Sequence, residues 1–349
     1  MKRATLAIAA SLFSVPAIAA PGDDIYTRPG IIAPARDGAR LNFVCLGKGS
    51  PAVVFDSGFL DWAPAWASVQ PAIAAFARNC SYDRAGSGFS HAGPLPRTTE
   101  RIARELHDAL HSAGIQGPYI LVGHAFGGDN VRSFADLFPK EVAGLVLVDA
   151  DPSEMDTPAN RRADDQGLLS YVPKLKACRD AIAAGNADFA LPPPPGRPAR
   201  PCAVGFFRGL PESQWSSELN AKLLDIARHK VAMWDAVVSE LQEVPADKVW
   251  LARHSRHLGR TPIRVLTTGN HAVQHRDKPS PPTIDHLKME YDVARAQSRW
   301  LSLSSNSRQI FVANSGEYVQ FDQPGAVVDA VRKVFDEAKA IAVRRRTDR

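Results

Sequence analysis

The chain has 349 residues, 45% of them hydrophobic, enough to bury a large core in one domain. Its formal charge of +5, less Lys2 and Arg3, which belong to a leader, leaves +3. That balance does not imply nucleic acid as a partner, and no stretch beyond the leader approaches a membrane span.

Residues 1–20 read as a signal peptide. Lys2 and Arg3 precede an apolar run over 4–19, and Ala17-Ile18-Ala19 supplies the small-x-small cleavage pattern. The expected product is exported, periplasmic or secreted, and not stably inserted in a membrane. Export makes Cys45, Cys80, Cys178 and Cys202 readable as disulfides, with three possible connectivities.

Strands are expected at 41–46, at 52–56, which runs into Ser57-Gly58-Phe59, and at 81–83. Between the last two, Trp66, Val69, Ile73 and Phe76 repeat at helical spacing. Tyr82-Asp83-Arg84-Ala85-Gly86-Ser87-Gly88 forms a glycine turn, with Asp83 and Arg84 expected to pair and hold it. Thr98 or Thr99 caps a helix carrying Ile102, Leu106, Leu110 and Ala113, and Gly117-Pro118 closes the connection.

Next come Tyr119-Ile120-Leu121-Val122, a buried strand, then Gly123-His124-Ala125-Phe126-Gly127-Gly128, then a helical pattern with Val131, Phe134, Ala135 and Phe138 on one face and Pro139 at its end. This corner resembles the nucleophile elbow of the α/β-hydrolase superfamily, in particular its lipase and esterase-like branch, where the corner usually reads Gly-His-Ser-x-Gly-Gly. Here Ala125 stands in the place of serine. The resemblance covers nearly the whole mature chain. It implies a mostly parallel, doubly wound α/β sheet of about eight strands with an inserted helical cap. The core would occupy 21–151 and 261–349, and the cap 152–260. A small ester-like or other acyl substrate is implied, with no cofactor and no metal.

By the same resemblance, the backbone N–H groups of Phe59, supported by Gly58, and of Phe126 form an oxyanion hole. The strands bearing Cys45 and Cys80 become antiparallel neighbours, which pairs those two cysteines. Cys178 and Cys202 fall together inside the cap. A strand at 145–148 ends in Asp149-Ala150-Asp151, and Asp149 takes the acid position, with Asp151 as second candidate. The strand at 263–267 is followed by Thr268-Gly269-Asn270, which carries no carboxylate.

Within 152–260, helical stretches such as 217–241 are broken by Pro192 to Pro195, Pro198 and Pro201. Gly58, His124, Trp215 and Trp234 are the candidate substrate contacts, with Met233 beside the two tryptophans. Aromatic and Met side chains at helical spacing are also ordinary core. His271 and His275 are four apart but sit in a post-strand loop without a glutamate between them, so a metal is not expected there. Asp285, His286, Glu290 and Asp292 read as a solvated helix face. After a last strand at 309–313, the loop Asn314-Ser315-Gly316-Glu317-Tyr318 puts Glu317 where the family carries its histidine. Val327, Val328, Val331, Val334 and Phe335 make a closing helix, and Arg344, Arg345, Arg346 and Arg349 a frayed, solvated tail.

The family's serine, acid and histidine are thus represented by Ala125, Asp149 and Glu317. A methyl cannot attack a carbonyl, and triad members act as a unit. What survives their loss is on the order of 10³ to 10⁴ over water. Three readings remain: an esterase silenced at two positions, a pocket in which a Glu317/Asp149 carboxylate pair activates water or abstracts a proton, and a binding protein that has lost catalysis.

Overall fold

The structure, a computed structural model, describes residues 22–150, 152, 165–193, 196, 198–206, 215–269 and 283–347. The expected leader, Asp151, His271, His275 and Arg349 lie outside these residues.

Eight strands form one sheet: β1 (Ile31–Pro34), β2 (Arg40–Leu46), β3 (Ala52–Asp56), β4 (Asn79–Asp83), β5 (Tyr119–His124), β6 (Val142–Val148), β7 (Ile263–Thr268) and β8 (Ser307–Val312). Their order across the sheet is β1-β2-β4-β3-β5-β6-β7-β8. β2 runs antiparallel to both β1 and β4, and the remaining pairs are parallel. Parallel strands need crossovers, and the crossovers cover both faces with helices, which is why β3 and β5 are apolar without alternation. Val53, Phe55, Ile120, Val122, Val146 and Val148 pack on one face against Trp66, Ile73, Val331 and Val334. Val54, Leu121 and Leu147 pack on the other against Leu106, Leu110, Val131 and Phe134.

The helices on these faces include α1 (Gln70–Ala74), α2 (Thr99–Ser112) and α3 (Phe126–Leu137). The Trp66, Val69, Ile73, Phe76 stripe is not one regular helix. It divides between a 3₁₀ turn, Ala63–Trp66, and the short α1, because Pro64 and Pro71 each open a separate turn. Thr98 caps α2, its hydroxyl accepting from Arg101 N at 3.1 Å.

Between β6 and β7 lie α4 (Val172–Ala183), α5 (Cys202–Phe206), α6 (Ser217–His229) and α7 (Val231–His254). These helices pack around a third apolar cluster that includes Leu175, Leu223, Met233 and Trp234. The continuous helix expected over 217–241 breaks at Lys230. That residue leaves helical geometry (φ −94°, ψ 85°), and its ammonium donates to the carbonyls of Gly88 at 2.6 Å and Ser90 at 2.5 Å. A helix end is thereby fastened to the glycine turn after β4.

After β7 come α8 (Ile284–Gln297), α9 (Val319–Asp322) and α10 (Pro324–Thr347). The expected frayed tail is a correction: α10 continues through Arg344, since nothing between Phe335 and Thr347 breaks a helix. The disulfides are Cys45–Cys80, across directly paired residues of β2 and β4, and Cys178–Cys202, joining α4 to α5.

Candidate functional site

β5 turns into α3 at Ala125, whose backbone is held at φ 47°, ψ −120°. A conformation of this kind costs of order 1–3 kcal/mol and persists only where its surroundings impose it. The surroundings do so by close packing: a β-carbon on Gly123 would lie 2.4 Å from Gly127 O, and one on Gly127 would lie 2.3 Å from Asp56 O. The corner of a nucleophile elbow is therefore intact, and it presents a methyl.

Opposite it, the loop after β3 is clamped from beneath by Arg84. The guanidinium is buried and donates to Ser57 O at 2.6 Å, Gly58 O at 2.7 Å, Asp56 Oδ1 at 2.9 Å and Glu240 Oε1 at 2.8 Å. Because Arg84 holds the Gly58 carbonyl, the trans peptide turns the Phe59 N–H to the opposite side. Phe126 is the first residue of α3, so its N–H has no acceptor within the helix. The Phe59 and Phe126 rings stack at 4.1 Å between centroids.

The expected Asp83–Arg84 pairing is not formed. Asp83 accepts from Ala63 N, Phe89 N and Asn42 Nδ2 at 2.8–3.0 Å, while Arg84 turns inward to Asp56 and Glu240. Both residues hold the turn, each through other partners, since a buried carboxylate and a buried guanidinium need more donors and acceptors than one pair supplies.

Gly58 lies among the side chains of the candidate site. A β-carbon there would lie 3.2 Å from His124 Nδ1, 3.4 Å from the Ala125 methyl and 3.4 Å from Asp61 Oδ2. Asp61 is buried, and Tyr318 OH donates to its Oδ2 at 3.1 Å. Burial pushes the Asp61 carboxyl up to about 7, and the charge of Glu317 adds to the push. His124 is buried as well. Its Nε2 lies 3.1 Å from the Glu317 carbonyl, which can only accept, so Nε2 carries the proton and Nδ1 the lone pair. Burial lowers its pKa against the opposing pull of Glu317 and Asp149, so the ring is neutral. Among the described residues, Nδ1 has no hydrogen-bond partner.

Asp149 also has positive φ, 46°, and its N–H bonds to Leu266 O at 2.9 Å. Its Oδ1 accepts from Gln297 Nε2 at 2.8 Å, and Gln297 Oε1 in turn accepts from Thr267. The backbone brings the three triad positions to one rim: Ala125 N bonds to Val148 O at 3.1 Å, and the Glu317 carbonyl receives the neighbouring His124. Asp61, His124 and Tyr318 all feel the charge of Glu317, and Asp149 is held by Gln297 among its partners.

Of the other candidate contacts, Trp215 is partly exposed and meets Phe321 edge-on at 5.8 Å; Phe321 in turn stacks on Tyr318. Trp234 is corrected to core. It is fully buried among the inserted helices, and its indole N–H is spent on Ala227 O at 2.9 Å. Met233 is equally buried. Asp61 and Tyr318 are site residues that the sequence reading did not single out. Their one local signal is that Asp61 follows the oxyanion loop by two residues and Tyr318 adjoins Glu317.

The α/β hydrolase fold family matches residues 51–176. The sheet order, the strained corner and this match give the chain the α/β-hydrolase fold, with the family resemblance carried by residues 51–176. Among curated relatives, the uncharacterized Bacillus subtilis protein YqjL is 22% identical over 293 residues, covering 83% of this chain and 85% of YqjL. A Hormonema carpetanum protein named "Probable transporter efuK" is 29% identical over 138 residues, 38% of this chain, and the chain spans only 20% of that protein's length. Two solved structures share the fold: epoxide hydrolase CorEH (TM-score 0.62, 18% identity, 89% of this chain and 98% of that one) and a thermophilic esterase from Thermogutta terrifontis (TM-score 0.56, 20% identity, 89% and 99%). Among the described residues no helix is long and apolar enough to cross a membrane.

Proposed function

We propose that this chain is an exported protein of carboxylic-ester hydrolase descent whose cleft takes a small ester-like molecule and acts on it without an acyl-enzyme. The observation that carries the reading is the methyl of Ala125 at an otherwise intact elbow, facing the buried Asp61 carboxyl and the His124 Nδ1 lone pair across Gly58. In this reading a water attacks the substrate carbonyl carbon while His124 Nδ1 takes its proton. The Phe59 and Phe126 N–H groups hold the oxyanion. As the leaving-group C–O bond breaks, Asp61 supplies the proton, a role its pKa of about 7 suits. Burial holds the proton on Asp61, and the charge of the neighbouring Glu317 adds to that. Export is supported by the two disulfides, and N-terminal sequencing of the secreted protein would find it starting just after Ala19 or Ala20.

The test is a panel of short and long acyl esters incubated with the mature protein, with product and intact protein mass followed together. Product without an acyl adduct is expected. Asp61→Asn should cut turnover by ~10²-fold or more, Glu317→Gln should slow it as well, and Ala125→Ser alone should trap no acyl-enzyme. Turnover unchanged in both carboxylate variants would reject the chemistry. A second reading, reversible capture without turnover, is favoured by one observation: the elbow presents the methyl of Ala125 where the fold holds a nucleophile. Binding with no product on the same panel would support capture.

A further inference from the structure

On the face of α2 that meets the end of α3, His107 and His111 stand one turn apart, their ring centroids 4.5 Å apart. Glu141, from the 3₁₀ turn Pro139–Glu141 that leads into β6, reaches both. Its Oε1 lies 3.1 Å from His107 Nε2 and its Oε2 3.0 Å from His111 Nε2. The donor atoms of the three side chains all lie within 4.8 Å of one another, and among the described residues no other three such side chains converge.

We propose that His107, His111 and Glu141 form a zinc-type cation site with two imidazole nitrogens, one carboxylate oxygen and a fourth position open to water. Tetrahedral zinc with bonds of ~2.0–2.2 Å sets neighbouring donor atoms ~3.3 Å apart. The three donor atoms, all within 4.8 Å of one another, would draw together by side-chain rotation to reach that spacing. His107 is already positioned for it. Its ring stacks on Phe138 at 3.8 Å between centroids and 9° between planes, and its Nδ1 faces Asp108 Oδ1 at 3.3 Å. A carboxylate on the far nitrogen keeps the proton there, fixes the ring and leaves Nε2 as the lone-pair donor, the arrangement that supports imidazole ligands to zinc. His111, 47% exposed, leaves one side of the site to solvent. On binding, the two Nε2 atoms and one Glu141 oxygen turn to the metal, and three bonds to it form in place of their contacts with one another.

The site would tie α2 to the connection between α3 and β6. His107 also touches Phe134, so the cation would stiffen the helix that carries the elbow at its other end.

The experiment uses the full mature protein stripped with a chelator and titrated with zinc against a chromophoric competitor. One zinc per chain is expected, with a raised Tm. Asp108→Asn should weaken binding by ~10-fold or more through the tautomer. His111→Ala and Glu141→Gln, both on the open side of the cluster, should abolish the stoichiometric site, whereas His271→Ala/His275→Ala should leave it intact. X-ray absorption of the zinc-loaded wild type should show two imidazoles, a reading that needs no variant to fold. Absence of stoichiometric binding, its survival in the His111 and Glu141 variants, its loss with His271 and His275, or a different imidazole number would each overturn the assignment.

Discussion

Asp61 shows how one residue can carry a site and weaken the fold around it. Its carboxyl has a folded pKa of about 7 against an ordinary 3.8, because burial disfavours the charge and only the Tyr318 hydroxyl and the more distant Arg84 offset that. With the folded pKa raised, the native state holds the proton more tightly than the unfolded chain. The destabilisation is therefore absent below about pH 4, grows as pH rises towards 7 and is complete above it. At ~1.4 kcal/mol per pKa unit, the full effect is a few kcal/mol. Asp61→Asn keeps the shape and removes the titration, so its stability relative to wild type should improve between pH 5 and pH 8 in urea unfolding. A difference that stays constant over that interval would mean the carboxyl is not buried as described. Asp61 was not legible as a site residue because its partner Tyr318 lies 257 positions away. Ala125 was legible because an elbow is written in five consecutive residues, and the glycines around it record contacts that hardly depend on the rest of the chain.

Among the elements, α7 and β3 depend on each other through Arg84, just after β4, which sits between Asp56 on β3 and Glu240 on α7 with all three side chains buried. Arg84→Met would leave two carboxylates without their cation, and breaking a buried pair in this way costs about 3–5 kcal/mol. Chemical denaturation should show that loss, and adding Glu240→Gln should recover part of it because one of the stranded charges is gone. If the double variant is no more stable than the single one, the two residues are not energetically linked. The short apolar runs of β3, β5, β6 and β7 were readable since burial on both faces leaves a local signature. β1 was missed: four residues on the sheet edge, with Pro34 at the end and a single buried side chain, carry almost none. The break at Lys230 was hidden for another reason, because its cause is a set of carbonyls about 140 residues earlier in the chain.

Over the whole molecule, the inserted helices are not uniformly attached. α7 carries the bonds to the core: Glu240 to Arg84, Ser239 Oγ accepting from Arg97 N at 2.9 Å and Asp247 accepting from Thr99 N at 3.1 Å, with Lys230 at its start. By contrast, α4 and α5 meet their neighbours largely through the third apolar cluster, and the Cys178–Cys202 bond joins them. On the chain-entropy account, a loop of this size contributes about 3 kcal/mol by restricting the unfolded ensemble. The other disulfide links residues the sheet already pairs, so its loss would be felt by β2 and β4 only when the sheet opens. Cys178→Ser/Cys202→Ser should therefore accelerate hydrogen exchange in α4 and α5 while α7 and β5 keep wild-type protection. Cys45→Ser/Cys80→Ser should instead lower global stability with no locally exposed segment. Were α7 to lose protection together with α4, the insertion would be one cooperative unit, and the bonds along α7 would not anchor it to the sheet independently of the rest.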